Sequence, residues 1–160
     1  MEAHSHHDQL HDPTGTASPD RTAFMATLHC LAGCAIGEVL GMAIGTALGW
    51  GNLATIVLAT ALAFVSGYLF TMVPLVRAGI AARAAARIAL AADTASIVIM
   101  EIVDNLVMLV IPGAMAATLD APLFWGSLAI SLAIAGVAAY PVNRWLIARG
   151  RGHALAHAHH

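Results

Sequence analysis

Residues 24–48 read FMATLHCLAGCAIGEVLGMAIGTAL, an apolar run long enough to cross a bilayer as a helix. Within this run, four residues at spacing four share one helix face: Cys30, Cys34, Glu38 and Met42. An ionisable group at the centre of a membrane span costs about 2.5–3.5 kcal/mol on insertion scales. We therefore interpret this row of side chains as a cation site inside a membrane helix.

The composition of the whole chain indicates an integral membrane protein of one domain, with the lipid bilayer as its surroundings. Of the 160 residues, 59% are hydrophobic and 10% are charged, whereas a soluble domain carries about 25% charged residues. The formal net charge is −2 and the chain has no Lys, so nothing indicates binding of nucleic acid. The first 22 residues show no signal-peptide pattern, and we expect the first span to insert uncleaved.

Four apolar stretches predict an all-α membrane protein, a bundle of four transmembrane helices. The expected spans lie at residues 24–48, 53–73, 88–111 and 122–147 of a membrane domain that covers residues 23–148. We expect the second span to end before Pro74. The stretch 77–92 is expected to be a solvated loop, with a short interfacial helix as the alternative.

The two flanking segments, residues 1–22 and 149–160, carry eight of the nine His residues. Both segments are polar and are expected to be disordered tails. Short His-rich tracts can bind metal ions, so these tails either capture a cation or are idle.

The arginines predict the orientation of the bundle in the membrane. All seven basic residues are Arg, and the predicted topology places them on one side, whereas the other side carries only Asp120. By the positive-inside rule the arginine side is the cytoplasm. Both termini are therefore expected to be cytoplasmic.

The predicted third span carries polar residues at the depth of Glu38. Glu101 and Asp104 are three residues apart on one helix face, and Asn105 follows them. At about 1.5 Å per residue, Glu38 and Glu101 lie roughly 21 Å and 20 Å from the cytoplasmic ends of their spans. If the first and third spans are neighbours, three carboxyls converge near the midplane, with Met100 a turn away. Asp93 is nearer the cytoplasmic end, where water can hydrate it.

No basic side chain stands at that depth, so the three carboxyls either hold protons or hold a cation. Thiolate and thioether ligands prefer soft ions, and carboxylates prefer harder ions or protons. We expect Cu(I) first, with Zn(II), Ag(I) or no metal as alternatives. The candidate metal ligands are His29, Cys30, Cys34, Glu38, Met42, Met100, Glu101 and Asp104. The candidate cation pathway consists of Glu38, Glu101, Asp104 and Asn105.

A row of glycines at spacing four lies about 100° around the first helix from the row of Cys, Glu and Met. Such rows let helix backbones approach closely, either within one chain or between two copies. Because a four-helix bundle offers little room for a pathway, we expect a homo-oligomer. The row consists of Gly33, Gly37, Gly41, Gly45 and Gly49.

Two segments, LHCLAGCAIGEVLGMAIGTALGW (residues 28–50) and MEIVDN (residues 100–105), resemble a bacterial family of four-span membrane proteins of unknown function. The resemblance includes the pattern His-Cys-x-x-x-Cys-x-x-x-Glu in the first helix and covers residues 24–147. Members of this family are sometimes labelled copper-related. The resemblance implies a copper context and a bacterial inner membrane. The positions it carries forward are His29, Cys30, Cys34, Glu38, Glu101, Asp104 and Asn105.

Two better-known families are similar to this chain in design only. Mercury-uptake membrane proteins place an adjacent Cys pair in the first span, which this chain lacks. Copper-uptake transporters combine Met at spacing four with a glycine-packed helix, without the additional acids that this chain carries. The chain is therefore not assigned to either of these two families.

The leading functional hypothesis is binding and transport of a soft transition metal, copper first, along the first helix. The alternative is a channel or transporter for protons or a monovalent cation that uses Glu38, Glu101 and Asp104. Replacing both Cys by Ser would abolish the first activity and spare the second. An enzyme is not expected, because a second intramembrane His for haem and a Cys-x-x-Cys motif are both missing. A further alternative is an assembly subunit whose polar residues only specify partners.

Overall fold

The computed structural model describes residues 18–149, and this part of the chain contains helices and no strands. The elements are α1 (Pro19–Ala47), α2 (Asn52–Arg77), α3 (Ala82–Val110), a short 3-10 helix η1 (Ala114–Ala116), and α4 (Pro122–Ala148). The all-helical architecture expected from the apolar stretches is thereby confirmed. Both His-rich tails, beyond Ser18 and Arg149, lie outside the described residues.

The four long helices form a bundle in which each packs against the next, and α4 returns to α1. α1 and α3 lie opposite each other and touch across the centre of the bundle. The polar faces of these two helices therefore meet in the interior. This is the neighbour relation that convergence of their acidic residues requires.

The closest packing in the bundle, that of α1 on α2, depends on small residues. A Cβ added at Gly37 would overlap the backbone of Ala63, and one added at Gly41 would overlap the backbone of Ala59. The glycine row thus packs within the chain, and the expected homo-oligomer would need another surface. Of the predicted row, the members that pack on α2 are Gly33, Gly37, Gly41 and Gly45, whereas Gly49 lies in the turn after α1 with φ 66°.

α1 starts earlier than the apolar run that predicted it. The Ser18 hydroxyl accepts a hydrogen bond from the Arg21 backbone N–H at 3.3 Å and caps the helix, with Pro19 in the first turn. The prediction of a disordered tail over residues 1–22 is therefore wrong for residues 19–22. These residues are polar, but their capping signals continue the helix towards the N-terminus.

α2 and α3 are also longer than predicted, so that only residues 78–81 separate them. α2 continues past Pro74, which is exposed in the last turn, where a lost N–H hydrogen bond affects only the end of the helix. The solvated loop predicted over residues 77–92 is wrong, because α3 begins at Ala82. The sequence ARAAARIALAA at its start is rich in Ala, the strongest helix former.

Three helices, α1, α2 and α4, are long and apolar enough to cross a membrane. α3 is as long as α1, but it carries three buried acids along its inner face. Large apolar side chains are exposed on the outer faces of all four helices, among them Leu40, Val65, Leu106 and Val137. Such an outer surface fits contact with lipid.

The two ends of the bundle differ in charge. All the described arginines lie at the starts of α1 and α3 and at the ends of α2 and α4, and we call this the arginine end. There Arg144 of α4 pairs with Asp20 of α1 at 2.6 Å. The opposite end is formed by the turn after α1 and by residues 111–121, and we call it the Asp120 end.

Candidate functional site at the centre of the bundle

Three acidic side chains meet at the centre of the bundle, and we call Glu38, Glu101 and Asp104 the carboxyl cluster. Glu38 belongs to α1, and the other two belong to α3. Their exposed fractions are only 6%, 4% and 5%. The Glu38 carboxyl faces both of the others. The structure thus brings together the three acids whose convergence their matched depth predicts.

The carboxyl cluster is poor in hydrogen-bond donors. Within residues 18–149, no donor completes a hydrogen bond with the carboxyl oxygens of Glu38 or Glu101, or with Asp104 Oδ1. The Ser131 hydroxyl on α4 stands beside the Asp104 carboxyl but donates to the Leu128 carbonyl oxygen at 2.9 Å. The Thr60 hydroxyl and the Cys34 thiol stand beside Glu101. Since the described arginines stand at the end of the bundle, no counter-charge adjoins the cluster. Three carboxylates cannot all be ionised in such surroundings, so the cluster must hold protons or a cation.

A small cavity of about 30 Å³ lies against the carboxyl cluster. A single water needs about 10–15 Å³ on this measure, so the cavity holds one or two waters. Besides the three acids, its lining includes two polar residues, Thr60 and Asn105, and three thioethers, Met42, Met108 and Met115. The cluster therefore adjoins a space suited to water or a small ion.

Asn105 lines this cavity, but its amide serves the helix backbone. Its Nδ2 donates to the Glu101 carbonyl oxygen at 2.8 Å and to the Thr60 hydroxyl at 3.4 Å. The first of these bonds lies within α3, and the second joins α3 to α2. Asn105 therefore ties the wall of the cavity together without neutralising the acids.

A larger cavity of about 240 Å³ lies at the Asp120 end, and we call it the vestibule. Met42 and Met115 line both the vestibule and the smaller cavity. These two side chains therefore stand between the vestibule and the carboxyl cluster. The polar and indole side chains of the vestibule belong to Thr46, Trp50, Asn52, Thr55 and Thr118.

Both cysteines are free and buried, and they lie between the carboxyl cluster and the arginine end. The Cys34 thiol faces Glu101. The Cys30 thiol donates instead to Asp93, with Sγ 3.9 Å from Oδ1. The two thiols, one turn apart on α1, thus serve different carboxyl groups.

The predicted metal ligands contact different partners in the bundle. His29 packs edge-on against Phe70, with ring centroids 5.4 Å apart, and interacts electrostatically with Asp93. Met100 is 1% exposed in the core beside Ile97 and is not part of the cavity wall. Across residues 18–149, no group of three or more His, Cys, Asp and Glu side chains has an arrangement that could hold a metal ion.

Asp93 is the buried acid that sequence reasoning placed in water. The structure buries it completely, with an exposed fraction of 0%, eight residues before Glu101 on α3. The signal was available in the spacing. Asp93, Met100 and Asp104 are separated by seven and four residues, which places all three on one helix face.

Comparison with known proteins places this site in a family without an assigned activity. The model of the family described as "Domain of unknown function (DUF4396)" matches residues 21–152, which include nearly all of the bundle. No curated protein and no solved structure matches the chain. The resemblance found from the first and third helices is thus confirmed as membership of a family of unknown function, and the site itself must indicate the chemistry.

Proposed function

Because the chain belongs to the family described as a domain of unknown function (DUF4396), we propose a function from its own site: transfer of protons, or of a monovalent cation, across a membrane through the carboxyl cluster. One observation carries the proposal. Three buried carboxyls line a cavity that holds one or two waters, and five of their six oxygens complete no hydrogen bond within the described bundle. Acids that face the interior of a membrane bundle commonly mark proton and ion pathways.

The geometry of the cluster favours a proton over a larger ligand. Glu38 faces two other carboxyls, and such a contact is stable only if a proton or a cation lies between the oxygens. The cavity of about 30 Å³ leaves no room for a hydrated ion with a full water shell. A proton needs no such room, and a monovalent cation would have to enter with most of its water removed.

The proposal includes all four long helices as membrane spans. α3 is assigned as the fourth span because its acids face inwards, whereas Ile102, Leu106 and Leu109 are exposed on its outer face. By the positive-inside rule the arginine end faces the cytoplasm. In the proposed bacterial inner membrane, the vestibule at the Asp120 end then opens towards the other side.

The proposal is tested with the full chain reconstituted in liposomes that contain a pH-sensitive dye. A potassium gradient with valinomycin sets the potential, and the rate of internal pH change reports proton flux. We expect Glu38→Gln to lower the flux by about tenfold or more, because the substitution removes the central carboxyl of the cluster. Flux through Glu38→Gln at the rate of the unaltered protein would contradict the proposal. Replacing the pH dye by a sodium-sensitive dye distinguishes a monovalent cation from a proton.

Two control variants belong to this experiment. Asp120→Asn removes an exposed acid whose pKa is held below the ordinary value by a hydrogen bond with Thr118, and this variant should keep its flux. The double variant Cys30→Ser and Cys34→Ser should also keep its flux, since the proton pathway does not use the thiolate chemistry of a soft-metal site. Loss of proton flux in the double variant would show that the pathway needs the thiols themselves, which serine hydroxyls do not replace.

Transport of a soft metal, Cu(I) first, remains the second candidate, and a different observation favours it. Three thioethers, those of Met42, Met108 and Met115, line the same cavity as the carboxyl cluster. Thioether sulfur prefers soft ions. The arrangement of the His, Cys and acidic side chains supports this candidate less, because their geometry does not assemble a metal site within residues 18–149.

Elemental analysis separates the two candidates. The full chain, with every tail His replaced by Gln, is exposed to Cu(I), Ag(I) or Zn(II), desalted and measured for bound metal. The metal candidate predicts one bound ion per site that is lost when all three cavity methionines are replaced by Leu. The proton proposal predicts no stoichiometric metal in either protein.

A further inference from the structure

A second buried polar site lies between the carboxyl cluster and the arginine end. We call Asp93, Cys30, Thr71 and Ser96 the Asp93 site. Asp93 and Ser96 of α3 are fully buried, Cys30 of α1 is 2% exposed, and Thr71 of α2 is 5% exposed. The titratable groups that face Asp93 are Cys30 and His29, both from α1. This site contains a single carboxyl, unlike the cluster.

The Asp93 site is rich in donors. The Cys30 thiol donates to the Asp93 carboxyl, the Thr71 hydroxyl stands beside that carboxyl, and the Ser96 hydroxyl stands beside the Cys30 thiol. Within the described bundle, the hydroxyls of Thr71 and Ser96 complete no hydrogen bond in their present orientation. Hydroxyl protons rotate to suit their surroundings. Two buried hydroxyls therefore stand ready to donate to the Asp93 site when its carboxyl is ionised.

Asp93 lies too far from the carboxyl cluster for a direct proton transfer, so other polar groups must lie between them. Asp93 and Glu101 are eight residues apart on α3, which corresponds to about 12 Å along the helix. The two thiols of α1 lie in this interval, since Cys30 contacts Asp93 and Cys34 faces Glu101. The two thiols, one turn apart on α1, thus lie in sequence between Asp93 and the cluster.

We propose that Asp93 is a second proton station, which connects the carboxyl cluster to the arginine end through the thiols of Cys30 and Cys34. In each transfer a thiol accepts one proton on sulfur as it donates its own proton onwards, so that one proton moves and no sulfur changes its charge or oxidation state. The hydroxyl of Thr71 stabilises the Asp93 carboxylate between transfers, and the hydroxyl of Ser96 serves the Cys30 sulfur. This inference rests on the proposed function of the carboxyl cluster.

The test measures proton flux through Asp93→Asn in the same liposomes, beside Glu38→Gln. The matched control is Asp20→Asn, which removes an exposed acid at the arginine end that pairs with Arg144. We expect Asp93→Asn to lower the flux by about tenfold and Asp20→Asn to retain it. If Asp93→Asn retains flux while Glu38→Gln loses it, the Asp93 proposal is wrong and the function of the cluster stands. If Glu38→Gln retains flux, both proposals are wrong.

A second set of variants keeps the test decisive if Asp93→Asn does not fold. Cys30→Ala removes the donor, whereas Cys30→Ser replaces the thiol by a hydroxyl that donates and accepts. The relay predicts a several-fold loss of flux in Cys30→Ala and full flux in Cys30→Ser. Equal flux in these two variants would overturn the relay. Monodisperse elution of each variant in detergent establishes that it is folded.

Discussion

The carboxyl cluster and the Asp93 site place the same kind of residue, a buried acid of α3, in opposite surroundings. In the cluster, Glu101 and Asp104 face another acid, Glu38, and a cavity of about 30 Å³. Two turns earlier, Asp93 faces a thiol and a hydroxyl. The difference comes from the neighbouring helices, because α1 presents a carboxyl at one level and a thiol at the other.

Because of this difference, the two regions suit different steps of proton transfer. An acid among donors can lose its proton in place, because the donors stabilise the carboxylate. Acids that face one another with fewer donors than carboxyl oxygens retain a shared proton until a water or a cation replaces it. The Asp93 site therefore suits exchange of a proton, and the cluster suits holding one at the centre of the bundle.

The largest effect is expected from combining substitutions in both regions. If the Asp93 site and the cluster stand in series, the double variant Glu38→Gln and Asp93→Asn should conduct no worse than the slower single variant, which is already lowered about tenfold. Two parallel pathways would instead leave each single variant with the flux of the other pathway, so that only the double variant would lose about tenfold or more. The measurement is proton flux per reconstituted protein for the two single variants and the double variant.

A change in helix spacing should remove both regions at once. Gly37 stands on α1 between Cys34 and Glu38, and any Cβ there would overlap the Ala63 backbone. Gly37→Leu should therefore force α1 away from α2, with a loss of about 3 kcal/mol or more in unfolding free energy. Thermal unfolding in detergent checks this. The control is Gly51→Ala, at a position with open space around it, which should unfold like the unaltered protein.

The sequence predicted the convergence of the cluster because the evidence was local to each helix. Glu38, Glu101 and Asp104 lie at matched depth, and the helix rise alone determines depth. It did not predict that Asp93 is buried, because the position of Asp93 near the cytoplasmic end suggested hydration, although its spacing to Met100 and Asp104 places it on the inner face of α3. The contacts of the predicted metal ligands were not predictable either. His29 stands about 100° around α1 from Cys30, where it meets Phe70.

The helix boundaries show the same limit of local patterns. Hydropathy identified the apolar centres of the helices but not their polar ends. The stretch 77–92 was predicted as a solvated loop, with a short interfacial helix as the alternative, yet the alanines around Arg83 and Arg87 make it the start of α3. Likewise, the sequence predicted that α2 ends before Pro74, whereas the helix continues for about one more turn.

Access from the vestibule should affect the cluster and leave the Asp93 site unchanged. Met42 lines both cavities, so Met42→Ala would remove part of the wall between the vestibule and the smaller cavity. We expect proton flux to rise several-fold, because water can then reach Glu38. The matched control is Met42→Leu, which keeps the volume of the side chain and should conduct like the unaltered protein. Lower or equal flux in Met42→Ala would show that this methionine does not limit access.

The smallest effect is expected from the hydroxyl that α4 provides to the cluster. Ser131 is fully buried and interacts with Asp104. Ser131→Ala should change the flux by about fivefold, since a hydrogen bond to a buried polar group is worth about 1 kcal/mol. The control is Ser127→Ala: the Ser127 hydroxyl donates to backbone carbonyl oxygens of its own helix, that of Leu123 at 2.7 Å among them, as the Ser131 hydroxyl does to that of Leu128 at 2.9 Å. Equal flux in the two variants would show that the cluster functions without the Ser131 hydroxyl. In that respect the cluster would differ from the Asp93 site, where the proposal relies on neighbouring donors.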